Sequence, residues 1–328
     1  MAITLAQMKV GMNDKIAEKV VDTFIRESEL LELLPFDDAV TPSGGSTLTY
    51  GYVQTKLPST TAFRAINSEY TPSEATREKK SVDLKIFGGS FSIDRVLAQA
   101  AGKYNNVAVQ MAEKIKSAIG TFHNAMINGD SSVDANSFDG LDKFLVGQAT
   151  EYGVDSYIDL STMAQIKANA DEFYEQLTNL ITSTGADAIF VNNRMKTKIQ
   201  TVARVLGYKT DSEEAFGRKV TNIDRVRIID LKNIVTISSG AAVETPIIGT
   251  KTRTISSSSV AGLTDIYAAH FSVDDGFHGV TLTGNKAISQ HLPNFDEPGA
   301  VKNGDVEMVA AVALKNVKSA GVLRNIKI

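Results

Sequence analysis

The feature that most restricts what this sequence can fold into is one unbroken apolar stripe. Leu97, Ala101, Tyr104, Ala108, Met111, Ile115, Ile119, Phe122 and Met126 follow one another at spacings of three or four. That period puts all of them on one face of a helix. Asp94 is placed to cap its start and Gly129 to end it. Residues 94–128 are therefore expected to form a single rod of roughly 50 Å at 1.5 Å per residue. A coiled-coil seam would also explain the stripe, but the flanking positions carry few of the opposed charges such a seam uses. A helix that spans a core fits better, and the rest of the chain must be arranged along it.

Upstream, residues 13–34 read as an amphipathic helix through Ile16, Val20, Phe24 and Leu31, with Asn13 or Asp14 as cap and Pro35 as stop. Asp37–Ser46 is rich in Pro, Gly, Ser and Thr and reads as a linker or turn. Leu48–Thr55 and Ser81–Ile93 show the loose alternation of strands, clearest at Val82, Leu84 and Ile86. Between these strands lies a run dominated by Thr, Ser, Pro and charge, too polar for a core and too long for a tight turn. A protruding two-stranded loop is the simplest arrangement. Two strands alone hold poorly in water, so the loop is expected to rest on a neighbouring chain.

Downstream, Met163, Ile166, Ala170, Phe173, Leu177 and Leu180 mark a second helix closing near Gly185, followed by a strand at Ala188–Val191. Asn192 or Asn193 caps a third helix that ends at Gly207. Val226–Ile229 and Ile234–Ile237 complete a helix–strand alternation, so residues 150–270 are expected to form an α/β unit around a central sheet. Ile266–Phe271, Val280–Thr283 and Val306–Leu314 return the chain to strands.

Composition removes several functions. With no cysteine among 328 residues, disulfides, thiolate metal sites and a cysteine nucleophile are excluded. A formal charge of −4 argues against a chain that wraps DNA by neutralising phosphates, though not against one that encloses it. No secretory signal is read at the start, and the apolar run Met308–Leu314 is too short to span a bilayer.

Three stretches sharpen the order of elements into a resemblance. Asn128-Gly129-Asp130 followed by Phe138-Asp139-Gly140-Leu141 forms a turn pair after the long helix. Asp265 to Phe271 and Gly279 to Leu282 form a strand pair, and Met308 to Asn325 joins an apolar strand to Ser319-Ala320-Gly321-Val322-Leu323. In that order, across nearly the whole chain, they resemble the major capsid proteins of tailed bacteriophages. The resemblance implies an α+β chain of the Hong Kong 97-type capsid fold, with an N-terminal arm, extended β-hairpin loop, long spine helix, peripheral domain and α/β axial domain. It implies an arm at 1–46 and an extended loop at 47–93. The peripheral domain would comprise 94–154 and 273–316, with the spine helix at 94–128, and the axial domain 155–272 and 317–328. The implied role is structural and not enzymatic: hexamers and pentamers of an icosahedral head that encloses double-stranded DNA, assembled in the host bacterial cytoplasm and ending in the virion. Its partners would be further copies of itself, a separate scaffolding protein, a portal and decoration proteins, with no membrane and no cofactor. An encapsulin-like compartment shares the fold, and a soluble α/β enzyme built on residues 150–270 is the reading from another class.

Intersubunit contact is expected of Phe24 and Leu30 in the arm, which would otherwise pack on the chain's own core. In the loop it is expected of Phe63, Arg64, Glu69, Arg77, Glu78, Lys79 and Lys80. Phe63 is the best single anchor, because a large apolar side chain in so polar a segment gains from burial on a partner. The charged residues would otherwise form a solvated tip. Some members of the family cross-link a loop lysine to an asparagine; Lys56, Lys79 and Lys80 are loosely placed for this, but no partner is identifiable and no cross-link is inferred. Gly102 is a candidate bend point in the long helix. Catalytic signatures (HExxH, GxSxG, GxGxxG, a Walker loop) are not found, and Gly249-Thr250-Lys251-Thr252 lacks the upstream glycine of a phosphate cradle. His270, Asp274, Asp275 and His278 are the one close set of metal-ligand types, and Asp-Asp-Gly is ordinary turn chemistry. His123 reads as a structural partner on the long helix, and His291 has no evident partner.

Overall fold

The computed structural model describes residues 29–39, 48–100, 106–207, 211–215, 218–223, 225–239, 241–282 and 288–328. In chain order, α1 (Glu29–Leu33) and β1 (Phe36–Asp38) precede a hairpin of β2 (Thr49–Leu57) and β3 (Thr76–Asp83). Then come β4 (Lys85–Asp94), α2 (Arg95–Ala100), α3 (Asn106–Asn128) and the short α4 (Leu141–Leu145). The next group is β5 (Glu151–Tyr152), β6 (Ile158–Asp159), α5 (Met163–Thr184), β7 (Ala188–Val191) and α6 (Asn193–Leu206). Strands β8 (Asp211–Ala215), β9 (Arg218–Ile223), β10 (Val226–Asp230), β11 (Asn233–Ser238) and β12 (Ala241–Pro246) follow. The chain closes with β13 (Lys251–Ile255), β14 (Ser258–Ala269), β15 (Phe277–Thr281), β16 (Ile288–His291), β17 (Val301–Leu314) and β18 (Ala320–Lys327).

The first sheet runs β1–β15–β17–β16, with β4 along the other edge of β17. Strand β17 alternates strictly at its start, burying Lys302, Gly304, Val306 and Met308 while exposing Val301, Asn303, Asp305 and Glu307. The buried row faces α3, whose Met111 and Ile115 meet Phe91 and Val306. Farther along, Phe122 is fully buried, its ring 6.1 Å from Phe36, 6.3 Å from Phe87 and 6.0 Å from Phe138. Burying one such side chain contributes about 1.5–3 kcal/mol, so this aromatic knot is a main weld between helix and sheet.

Glycines 129 and 140 are required by close approach. A Cβ on Gly129 would lie 2.2 Å from the Phe138 carbonyl, and one on Gly140 would lie 2.5 Å from that of Ala125. The turn pair read from sequence is thus where the helix end and the 138–140 segment touch backbone to backbone, Gly140 N donating to Gly129 O at 2.8 Å.

The second sheet runs β5–β18–β14–β7–β10–β9–β8, with β13 on β14 and β6 on β18. The two helices expected here are present with their caps. Thr162 accepts from Gln165 N before α5, Asn192 accepts from Met195 N before α6, and Gly185 (φ +60°) and Gly207 (φ +78°) end them in the left-handed region. Strands β7 and β10 are parallel with α6 as their crossover, and Phe173, Leu177, Met195 and Ile199 pack against Ile228, Ile266 and Leu323.

Several expectations are corrected. Asp37 and Asp38, read as linker, belong to β1, which pairs in parallel with β15 because the Phe36 ring fills the space over Gly279. Ser81–Ile93 is two strands, broken at buried Leu84, whose N–H bonds Leu48 O. The polar run is shorter than it looked: Arg77 to Lys80 lie within β3, leaving residues 58–75 as the loop. Ile234–Ile237 is not part of the central sheet. After β10, Asp230 accepts from Lys232 N, Lys232 takes φ +62°, and β11 turns away to pair with β12 alone. The long stripe is helical in α2 and α3, while Gly102 lies outside the described residues, as do Phe24 and most of the arm helix.

Candidate intersubunit surface

The hairpin β2–β3 is a two-stranded sheet of its own, and its root is tied down by side chains on the inner part of β2. Tyr50 is buried and its hydroxyl donates to Asp37 Oδ2 at 2.6 Å. The Tyr52 hydroxyl donates to Leu314 O at 3.1 Å, and Gln54 Nε2 to Lys315 O at 2.8 Å. The Lys315 ammonium lies 5.4 Å above the Tyr50 ring, and His278 meets that ring edge-on at 5.8 Å. Burial works to raise the Asp37 carboxyl, but the Tyr50 hydroxyl, the Asp38 N–H and Lys315 hold it below the usual range. Burial, with Asp37 adding to it, pushes the Tyr50 phenol up, so the pair stays a phenol bonded to a carboxylate.

Beyond this root, residues 55–81 are all exposed among the described residues. Val53 is 65% exposed, Ile66 90% and Phe63 107%. The tip is nevertheless internally ordered: Arg64 donates to the carbonyls of Ala65 and Ser68 and lies 5.3 Å from the Tyr70 ring centre, and Thr60 N donates to Ser73 Oγ across the loop. Glu78 is 3.8 Å from Lys56 across the strands, an exposed pair worth about 0–1 kcal/mol. Among the described residues, Glu69, Arg77, Lys79 and Lys80 form no ion pair. Five bases against three acids over residues 56–80 leave the projection with a charge of +2. The structure thus collects the seven loop candidates on one projecting element and sets Leu30 apart, since that residue is 1% exposed and fills the chain's own core.

Sequence reading missed a second projection, the hairpin β11–β12, on which Ile237 is 83% exposed and Val235 55%. Its signal was the Ser238-Ser239-Gly240 turn between two short apolar runs. Also missed was a buried ionic cluster: Arg324 donates to Asp142 and Glu151, and Asp265 takes a two-pronged contact from Arg253 at 2.6 Å. An arginine directly after the apolar run Ala320–Leu323 was its trace.

The four metal-ligand types disperse. His270 Nδ1 lies 2.8 Å from Asp187, His278 is buried against Tyr50, and the backbones of Asp274 and Asp275 bond Ser272 Oγ as a turn. Among the described residues no group of three or more His, Cys, Asp or Glu side chains is arranged around a metal position. Lys251, in the glycine-poor look-alike, sits at the start of β13, 3.6 Å from Asp142. His123 is buried, which together with nearby Lys232 holds its imidazole down to about 4. No helix among the described residues is long and apolar enough to cross a membrane.

The sequence matches no protein-family model and no curated protein. The architecture is nevertheless that of a known class: this α+β chain has the Hong Kong 97-type capsid fold, as the resemblance implied. It is similar to the holo-SrpI encapsulin complex from Synechococcus elongatus PCC 7942, with 12% identity, TM-score 0.60, and coverage of 91% of this chain and 87% of that one. It is also similar to the capsid of a native GTA particle (10% identity, TM-score 0.55, 90% and 89% covered). A structure from Mycobacterium phage Bobi matches at 10% identity and TM-score 0.55, covering 91% of this chain and 90% of that one.

Proposed function

We propose that this chain is a major capsid protein: a non-enzymatic tile that forms the hexamers and pentamers of an icosahedral tailed-phage head around double-stranded DNA. The observation that carries the reading is the hairpin β2–β3, anchored at its root and bare at its tip, on a fold shared over about nine tenths of the chain with capsid structures. A lone globular enzyme gains nothing from exposing Phe63 and Ile66, whereas a shell subunit buries them on the next copy. In this reading residues 1–46 are the arm, and 47–93 the extended loop, with β4 already docked on the peripheral sheet. Residues 94–154 and 273–316 form the peripheral domain, and 155–272 with 317–328 the axial domain. A separate scaffolding protein guides assembly in the host cytoplasm, and portal and decoration proteins complete the virion.

Negative-stain electron microscopy of the purified protein, alone and coexpressed with its scaffolding protein, tests this. Closed shells or capsomer rings are expected. A monomer under every condition would return the soluble α/β enzyme to first place. The similarity to an encapsulin favours a second reading, a compartment for protein cargo. Nuclease-treated shells that retain DNA support the phage head, and shells that retain only a cargo protein support the compartment.

A further inference from the structure

The helices α5 and α6 lie side by side on one face of the second sheet, α5 over β18, β14 and β6 and α6 over β10. They therefore sit toward opposite flanks of the same layer. Each buries an apolar row, Phe173 and Leu177 from α5, Met195 and Ile199 from α6, and each presents its other side to solvent. The two outward sides carry opposite charge. On α5, Asp171, Glu172 and Glu175 are exposed and Lys167 is the only base. Helix α6 contains four bases and no acid, with Arg194 and Arg204 exposed, while Lys198 is occupied by the carbonyls of Leu160 and Ser161.

Solvated helices commonly interleave the two signs at i, i+4, where the pairs stabilise the helix itself. Here the signs are segregated by helix. Among the described residues none of Asp171, Glu172, Glu175, Arg194 and Arg204 has an ion-pair partner within 4.0 Å. A two-fold axis across the helices would set like against like, and one along them would pair the signs but close at two copies, fewer than a capsomer ring holds. A head-to-tail contact sets the acidic helix of one copy against the basic helix of the next, and repetition of that rotation closes a ring.

We infer that the α5–α6 layer is a heterologous subunit contact, in which Asp171 and Glu175 of one copy face Arg194 and Arg204 of its neighbour around a capsomer. The inference rests on the shell reading above and adds the surface that orients the ring. A phosphate backbone is the competing occupant of α6, but the carboxylates beside it on α5 would repel one, which favours a second copy of this chain.

Two charge-reversed full-length chains test it, one carrying Asp171→Lys with Glu175→Lys and the other Arg194→Glu with Arg204→Glu. Circular dichroism melts first establish that both fold as the parent does. Each alone is expected to need about tenfold or more protein to assemble than the parent, because like charges now meet. A one-to-one mixture is expected to recover six-membered rings, in which the two chains alternate three and three when weighed by native mass spectrometry, since a five-membered ring must keep one like-charged contact. Either folded variant assembling as readily as the parent overturns the contact, as does a mixture that stays dispersed. Loss of nucleic-acid retention by the Arg194/Arg204 variant with normal assembly also overturns it, in favour of phosphate binding. A parent chain that never assembles overturns the shell reading itself and this contact with it.

Discussion

Arg324 shows how one side chain can hold a junction together. It is 8% exposed, donates to Asp142 and Glu151, and lies 3.5 Å from Asp265, so it ties β18 to α4, β5 and β14. Removing one member of a buried ionic cluster leaves the others uncompensated, at about 3–5 kcal/mol. Arg324→Met is expected to lower the thermal midpoint of the unassembled chain sharply, measured by calorimetry, whereas a change of a degree or less would mean that water replaces the guanidinium. The titration of these groups also sets acid stability. Burial works to raise Asp142, but the bond and charge of Arg324 win and hold it below the usual carboxylate range; Asp130 is held at about 2 by Lys143 and Ser132. Carboxyls lowered in the fold contribute stability above their unfolded values, and this is lost as pH falls below about 4. His123, held at about 4, acts earlier: the unfolded chain takes up a proton from about pH 6.5 downward while the folded chain does not, a loss of about 3 kcal/mol by pH 4. Urea midpoints followed from pH 7 to pH 3 are expected to fall in both intervals, and His123→Leu to flatten the upper one while the lower remains. Only fragments of this were legible in the sequence. A histidine beside an apolar stripe announces burial, but partners as distant as Asp142 and Arg324 leave no local pattern.

Elements were legible where local chemistry specifies their ends. Gly185, Asn192 and Gly207 bracket α5 and α6 because caps act over a few residues, and the observed boundaries follow them. The first part of β3, residues 76–80, was mistaken for loop because Thr-Arg-Glu-Lys-Lys is exposed on both faces, so no alternation distinguishes it from a solvated segment. Strand β11 was assigned to the wrong sheet for the reverse reason: Val235 and Ile237 look like core but are exposed, and only the turn at Lys232 redirects them. The join between α3 and α4 tests the element scale. Gly129 and Gly140 let two backbones approach more closely than any side chain permits. Gly140→Ala must displace the carbonyls of Ala125 and Ile127, an overpacking cost of about 1–3 kcal/mol or more. Gly147, where a Cβ would meet nothing within 4 Å but φ is +72°, is the control: Gly147→Ala carries only the backbone strain. Gly140→Ala is expected to lower the urea midpoint more than Gly147→Ala; the reverse order would show that the 138–140 segment yields easily.

At the scale of the molecule, the order of elements carried more information than any single motif. An arm, a polar projection, a long helix and an α/β unit have no reason to follow one another in an isolated enzyme. In the proposed shell the projection is completed by another copy, and the seven loop candidates fall on one element although no pair of them is a recognisable signature. What the order could not reveal was which surfaces stay bare after folding, since that depends on the partner each strand finds in three dimensions. The hairpin tip gives the sharpest test. Phe63 and Ile66 are almost fully exposed among the described residues, so Phe63→Ser with Ile66→Ser is expected to leave the midpoint of the unassembled protein within about 0.5 kcal/mol of the parent. The proposed shell buries the same two residues on a neighbour, and the pair of substitutions is expected to cut the yield of shells counted by electron microscopy at least about tenfold, one hydrophobic anchor being worth about 2 kcal/mol. A fall in the midpoint would show that the tip packs on its own chain. An unchanged yield with an unchanged midpoint would place the adhesive surface elsewhere, and the charged residues of β3 would be the next to vary.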